Sequence, residues 1–148
     1  MPRIERTAEI VWEGNLARGA GLISAGSGAF TDQAYSNATR IGKPEGKTSP
    51  EELLAAAHGG CFGMSLAGEL TTLGHPPGRL EITCRIVMDE VEANGHQIVG
   101  SLVTVVARVP DLDGGTFARA VELADEGCAF SALLKRAGAT VSVSAELA

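Results

Sequence analysis

One long helix, with both of its ends written in the sequence, constrains this chain more than any other feature. Ser49 as N-cap, Pro50 at the first helical position and Glu52 three residues after the cap form a capping-box start, in which the cap hydroxyl and the glutamate satisfy otherwise unpaired backbone N–H groups. Gly74 and then Pro76-Pro77 are stop signals. The spacing predicts a helix from Pro50 to about Leu73, roughly 36 Å long at a rise of 1.5 Å per residue. In a chain of 148 residues, a rod of that length has to be the central element against which the other elements pack.

The flanking segments read as strands and shorter helices. Thr7 to Trp12 and Gly21 to Ser24 are strand-like around a turn at Glu13 to Gly19, with a third strand near Phe30 to Tyr35, giving an N-terminal antiparallel β-meander. Arg40 to Ser49, with Gly42, Lys43, Pro44, Gly46 and Lys47, reads as a polar loop. Beyond the long helix, Leu80, Ile82, Cys84, Ile86 and Met88 alternate with Glu81, Thr83, Arg85 and Asp89, the period of a half-buried strand. Asn94-Gly95 is a type I′ turn signal, and Gln97 to Val109 returns as the second arm of a hairpin. Pro110 to Gly115 leads to a helix over Thr116 to Glu126, ended by Gly127. Cys128 opens a short helix over Ala129 to Ala137, and Gly138 closes it. A final strand follows, with Ala139, Val141, Val143, Ala145 and Leu147 alternating. The order is that of an α+β fold in one domain spanning 1–148.

Aromatic residues make up only 4% of the chain, while apolar residues make up 45%. The core must therefore be built from small aliphatic side chains, and oligomerisation would help it. A net charge of −6 and a pI near 5.0 oppose binding to nucleic acid or to an anionic membrane, so the expected substrate is a small molecule. No apolar run follows Met1-Pro2-Arg3-Ile4-Glu5-Arg6, and no membrane-length apolar segment occurs, so a cytoplasmic location is expected. In that reducing compartment the three cysteines would be free thiols. A disulfide among them would be catalytic rather than structural.

Cys61 lies in the middle of the long helix, and Leu54, Ala57, Met64 and Ala67 share its face, which predicts an apolar setting for the thiol. Gly59-Gly60 cost helix stability, so something is expected to approach the backbone there, either substrate or another element. Cys128, at a helix start, has the positive end of the helix dipole to favour a thiolate. Cys84 points inward with Ile82 and Ile86 and reads as packing. These features leave the choice of nucleophile open, because an apolar setting raises a thiol pKa unless a fixed cation stands beside it.

The stretch Ser49-Pro50-Glu51-Glu52-Leu53-Leu54-Ala55-Ala56-Ala57-His58-Gly59-Gly60-Cys61-Phe62 resembles the helix motif of the OsmC/Ohr family (osmotically inducible protein C and organic hydroperoxide resistance). Trp12-Glu13-Gly14, Tyr35-Ser36 through Thr39-Arg40, and Gly127-Cys128 with Ser131 resemble further blocks of the family in the same order. The Arg in Thr39-Arg40 makes the likeness closer to the OsmC branch. The resemblance implies a thiol-dependent peroxidase of oxidative and osmotic stress defence that reduces organic hydroperoxides, with Cys61 as peroxidatic thiol and Cys128 as resolving thiol. It makes Arg40 the cation at the thiolate and Glu51 the carboxylate that orients it, a task suited to a guanidinium with its several donors. Arg18 is a rival for that role and Gln33 a further residue near the site. No cofactor or metal is implied. The implied partners are an organic hydroperoxide, an external dithiol reductant, of lipoyl type if Ohr is the guide, and a second copy of the chain in an intertwined homodimer. One departure from the family pattern is Ala129, where Pro usually follows the resolving Cys.

Helix geometry makes its own demand. Ten residues separate Glu51 from Cys61, about 15 Å along a straight helix, too far for one hydrogen-bond network. Either the helix bends, or Glu51 serves the Cys61 of another subunit, which places the sites at a homodimer interface. Two other readings compete: a non-catalytic zinc or ligand-binding module using His58, Cys61 and Cys128, and a Cys-His hydrolase with His58 as base.

Overall fold

A computed structural model describes residues 1–148. The chain divides into two compact units, Met1–Pro50 and Glu51–Ala148.

The first unit holds strands Ala8–Glu13 (β1), Ala20–Ala25 (β2) and Gln33–Tyr35 (β3), paired antiparallel in the order β1-β2-β3 as the meander requires. Trp12 and Tyr35 pack against each other with ring planes tilted by 58° and centroids 5.5 Å apart. Gly21, between them on β2, explains how: a Cβ there would overlap the Tyr35 ring and lie 2.9 Å from that of Trp12, so the rings close over a residue that has no side chain. A short helix, Asn37–Ile41 (α1), follows. It takes up Arg40, which the sequence placed in a loop. Ser36 caps it, its Oγ accepting from the Thr39 amide at 3.1 Å; with Thr39 rather than Glu at the third position, the capping-box pattern was absent.

The second unit is built on Pro50–Thr72 (α2), an uninterrupted helix that starts and stops where the sequence indicated. Arg79–Val91 (β4) and Gly95–Arg108 (β5) form the expected hairpin. The turn differs from the I′ form: positive φ falls at Ala93 and Gly95 rather than at Asn94 and Gly95, and Val91 pairs with Gly95 across a three-residue loop. The register slips between Val87 and Met88, a bulge that leaves Val99 without an opposite number. Gly114–Gly127 (α3) begins two residues earlier than expected because Asp113 caps it, its carboxylate accepting from the Thr116 amide at 2.8 Å and the Thr116 hydroxyl at 2.7 Å. Gly127 is its last residue rather than its terminator. Ala129–Arg136 (α4) and Thr140–Leu147 (β6) complete the unit.

β6 runs parallel to β5, giving the order β4-β5-β6. Parallel neighbours need a crossover, and α3 and α4 provide it. Period-2 alternation turns Ser101, Val103, Val105 and Ala107 of β5 inward. Of these, Val103, Val105 and Ala107 meet Phe62, Leu66 and Leu70 of α2 and Phe117, Ala120 and Ala124 of α3 in one apolar cluster that also includes Cys128. The α2 stripe His58, Phe62, Leu66, Leu70 has the i, i+4 spacing of a single helix face. Phe62 is fully buried at its centre. Phe62→Ala is expected to cost about 3–5 kcal/mol by opening a cavity in this small-residue core, measured as a lowered midpoint of urea unfolding.

Candidate active site

Cys61 lies one helical turn beyond His58 on α2, beside the buried stripe, and is half-buried against the apolar cluster. Its setting is less apolar than the helix face predicted. Met64, expected to line it, is 79% exposed, because the face that α2 turns inward is centred on Phe62 rather than on Cys61.

Cys128 is fully buried at the break between α3 and α4. It is the C-cap of one helix and the N-cap of the next, its Sγ accepting from the Ser131 amide at 3.5 Å. The fold makes it the thiol neighbour of Cys61, across 67 residues of sequence, and both thiols are free. Burial raises the Cys61 pKa, and the hydrogen bond and electrostatic interaction with Cys128 raise it further. The backbone N–H groups of Phe130 and Ala129, in the first turn of α4, act in the opposite sense by donating to Cys61. Part of what the sequence offered to Cys128, the polarity of a helix start, is thus directed at Cys61.

The glycines beside Cys61 have different surroundings. A Cβ on Gly59 would lie 3.2 Å from Cys84 Cβ, and one on Gly63 2.9 Å from Ile82 Cδ1, while one on Gly60 meets nothing within 4 Å. The close neighbour is strand β4, and it concerns Gly59 and Gly63. Between α2 and β4 runs an open groove of about 540 Å³, lined in part by Gly59, Gly60, Ile82 and Cys84. Cys84 packs on the core as expected and also approaches Ser101 Oγ at 3.4 Å and His58 Nδ1 at 3.8 Å.

His58 is completely buried, with both ring nitrogens engaged: Nδ1 with Ser101 Oγ at 2.6 Å and Nε2 with Ser131 Oγ at 2.8 Å. These contacts overturn the two competing readings. The imidazole is held by serines on β5 and α4, so it is available neither as a zinc ligand with Cys61 and Cys128 nor as a general base to Cys61, and no three His, Cys, Asp or Glu side chains group as metal ligands. Ser101 went unnoticed in the sequence. Its signal was a hydroxyl at an inward position of an alternating strand, which has to find a hydrogen-bond partner.

Arg40 lies exposed in the last turn of α1. Arg18 is exposed in the β1–β2 turn, its amide bonded to Asn15 Oδ1 at 2.8 Å, and lines a hollow of about 640 Å³ with Glu13 and Asn15. Gln33, at the start of β3, donates to the Thr31 carbonyl at 3.3 Å. These three belong to the first unit. Glu51 is in the first turn of α2 and Cys61 near its middle, and with the helix unbroken between them the separation of about 15 Å stands.

Residues 42–144 match the family model described as OsmC-like protein. The chain is 36% identical over 132 residues to peroxiredoxin OsmC of Escherichia coli, covering 89% of this chain and 91% of the relative. The chain belongs to the OsmC family. Among solved structures, the organic hydroperoxide resistance protein OhrB of Bacillus subtilis superimposes with a TM-score of 0.66 at 27% identity, covering 96% of this chain and 98% of that one. An organic hydroperoxide resistance protein OsmC from Legionella pneumophila shares the fold with a TM-score of 0.71 at 20% identity, covering 97% and 99%. Membership of the OsmC family makes this chain a cysteine-based peroxidase, and its α+β architecture is that of the family. No helix of the protein is long and apolar enough to cross a membrane.

Burial lowers the His58 pKa, with Asp125 acting against this and Lys135 with it. The folded state therefore refuses a proton that the unfolded chain accepts below about pH 6.5. Stability unaffected by this group above that pH is lost as pH falls from about 6.5 toward the folded pKa, at a slope of up to about 1.4 kcal/mol per pH unit. Urea unfolding followed between about pH 5 and 7 is expected to show this slope in the wild type and a flatter one in His58→Gln.

Proposed function

We propose that this chain reduces organic hydroperoxides to alcohols through Cys61, with Cys128 as resolving thiol, in cytoplasmic stress defence. The observation that carries the proposal is the pairing of two free thiols beside the first-turn N–H groups of α4. The Cys61 thiolate attacks the terminal peroxide oxygen. The O–O bond breaks, the alkoxide leaves as alcohol after taking a proton, and the sulfur becomes a sulfenic acid. Cys128 then attacks that sulfur, releasing water and forming a Cys61–Cys128 disulfide, which an external dithiol of lipoyl type reduces by exchange. Cys61 borders the apolar cluster together with half-buried Phe130. An alkyl tail gains about 0.8 kcal/mol for each buried methylene, which favours organic peroxides over hydrogen peroxide.

The raised Cys61 pKa leaves a demand for positive charge, and in this proposal Arg40, oriented by Glu51, meets it. The length of α2 between Glu51 and Cys61 favours a site shared across an intertwined homodimer of single-domain subunits, with Arg40 and Glu51 serving the partner's thiolate.

Stopped-flow consumption of cumene hydroperoxide and of hydrogen peroxide by pre-reduced protein, with thiols counted afterwards, tests the central claim. Wild type is expected to lose two thiols per chain with the organic peroxide and to keep the third. Cys128→Ser should consume one equivalent and stop at the sulfenic acid, and Cys61→Ser should consume none. No consumption by fully reduced wild type would overturn the reading.

The role of Arg40 has its own measurement. Because Cys61 reacts as thiolate and its pKa is already raised, removing a cation raises it further. Arg40→Met is expected to slow peroxide consumption at neutral pH, by about tenfold if the thiol pKa climbs by about one, with the loss recovered at alkaline pH. An unchanged pH–rate profile would turn attention to Arg18.

A further inference from the structure

We propose that His58 is the positioning residue of the thiol pair, holding the first turn of α4 against α2 through Ser131. The inference rests on the peroxidase reading of Cys61 and Cys128. Two matching spacings carry it. On α2, His58 precedes Cys61 by three residues; at the start of α4, Ser131 follows the capping Cys128 by three. Residues at that spacing lie one above the other on a helix face. The two helices thus meet along two rungs, one the hydrogen bond between His58 Nε2 and Ser131 Oγ at 2.8 Å, the other the pairing of Cys61 with Cys128.

Ser131 joins the rungs directly, since its amide donates to Cys128 Sγ at 3.5 Å while its hydroxyl meets the imidazole. Ser101 holds the ring from the opposite side at 2.6 Å, anchoring it to the central strand of the sheet. A neutral imidazole offers one N–H and one acceptor, and a serine hydroxyl can serve as either, so all three groups are satisfied in a site with no exposure. Burial keeps the ring in that neutral form.

The consequence for the reaction is specific. The N–H groups of Ala129 and Phe130 reach Cys61 only if the start of α4 is held in place, and a disulfide closes only over a narrow range of Cβ separations. Without the strut, Cys128 keeps its chemistry but loses its place.

The test compares wild type with Ser131→Ala, His58→Leu and His58→Gln, the last retaining an amide that can bond one serine. Equilibrium of the thiol pair with glutathione reads the effective concentration of Cys128 at Cys61 without any peroxide. It is expected to fall at least tenfold in Ser131→Ala and His58→Leu and to recover largely in His58→Gln. In single turnovers with cumene hydroperoxide, a dimedone adduct at Cys61 should accumulate in the first two variants at the expense of the disulfide.

Folded Ser131→Ala and His58→Leu with wild-type disulfide equilibria would overturn the proposal even if the wild type consumes peroxide normally. Loss of the cooperative melting transition in Ser131→Ala would also overturn it, by making the network a support of the whole fold. A wild type that ignores peroxide, while the glutathione equilibria shift as expected, would strike the peroxidase reading alone.

Discussion

A thiol withdrawn from water is a weak acid, and the surroundings of Cys61 turn on how that penalty is offset. Burial protects the sulfur and gives it an apolar neighbourhood, but it disfavours the charged form that reacts. The second unit supplies a partial remedy from its own backbone, by pointing amide hydrogens of α4 at the sulfur. Backbone donors have fixed directions and cannot be titrated away. They are available, however, only where a helix begins, and so the break between α3 and α4 has to fall beside Cys61.

That requirement organises the second unit. α2 presents Cys61 at the edge of its buried stripe, β5 provides the flat surface beneath, and the crossover from β5 to β6 is divided into two helices rather than one. The division creates a second helix start inside the unit, with Cys128 as its cap. Ser65 Oγ, donating to the Ala124 carbonyl at 2.8 Å, fastens the end of α3 to α2, and His58 fastens the start of α4. Polar groups buried in this way are costly unless fully paired. Their pairing here makes the joint a defined one.

Local chemistry was legible in the sequence where it is self-contained. The start of α2 at Pro50, its stop before Gly74 and the alternation along β4 and β6 depend on neighbouring residues alone, and they appear in the fold nearly residue for residue. α1 was not legible, because a five-residue helix capped by Ser36 lacks both a capping box and an apolar period. The face of α2 was misjudged at Met64 because helical spacing identifies neighbours without saying which side meets the sheet. The two cysteines were recognisable as a candidate pair through family motifs. What made them neighbours, the parallel placement of β6 and the serines that hold His58, is encoded in contacts separated by 43 and 73 positions, which no local pattern reports.

The parallel pairing of β5 with β6 carries a further meaning for how the chain brings its two thiols together. β6 is the last element, and the helices that bring Cys128 to Cys61 lie in the connection it closes. Parallel strands joined by a long crossover are among the slower contacts to form, since the loop must be ordered before the pairing rewards it. A chain still emerging therefore has its two thiols apart until that crossover is ordered. The Cys61–Cys128 pair is thus a product of topological completion, and half-made molecules do not carry it.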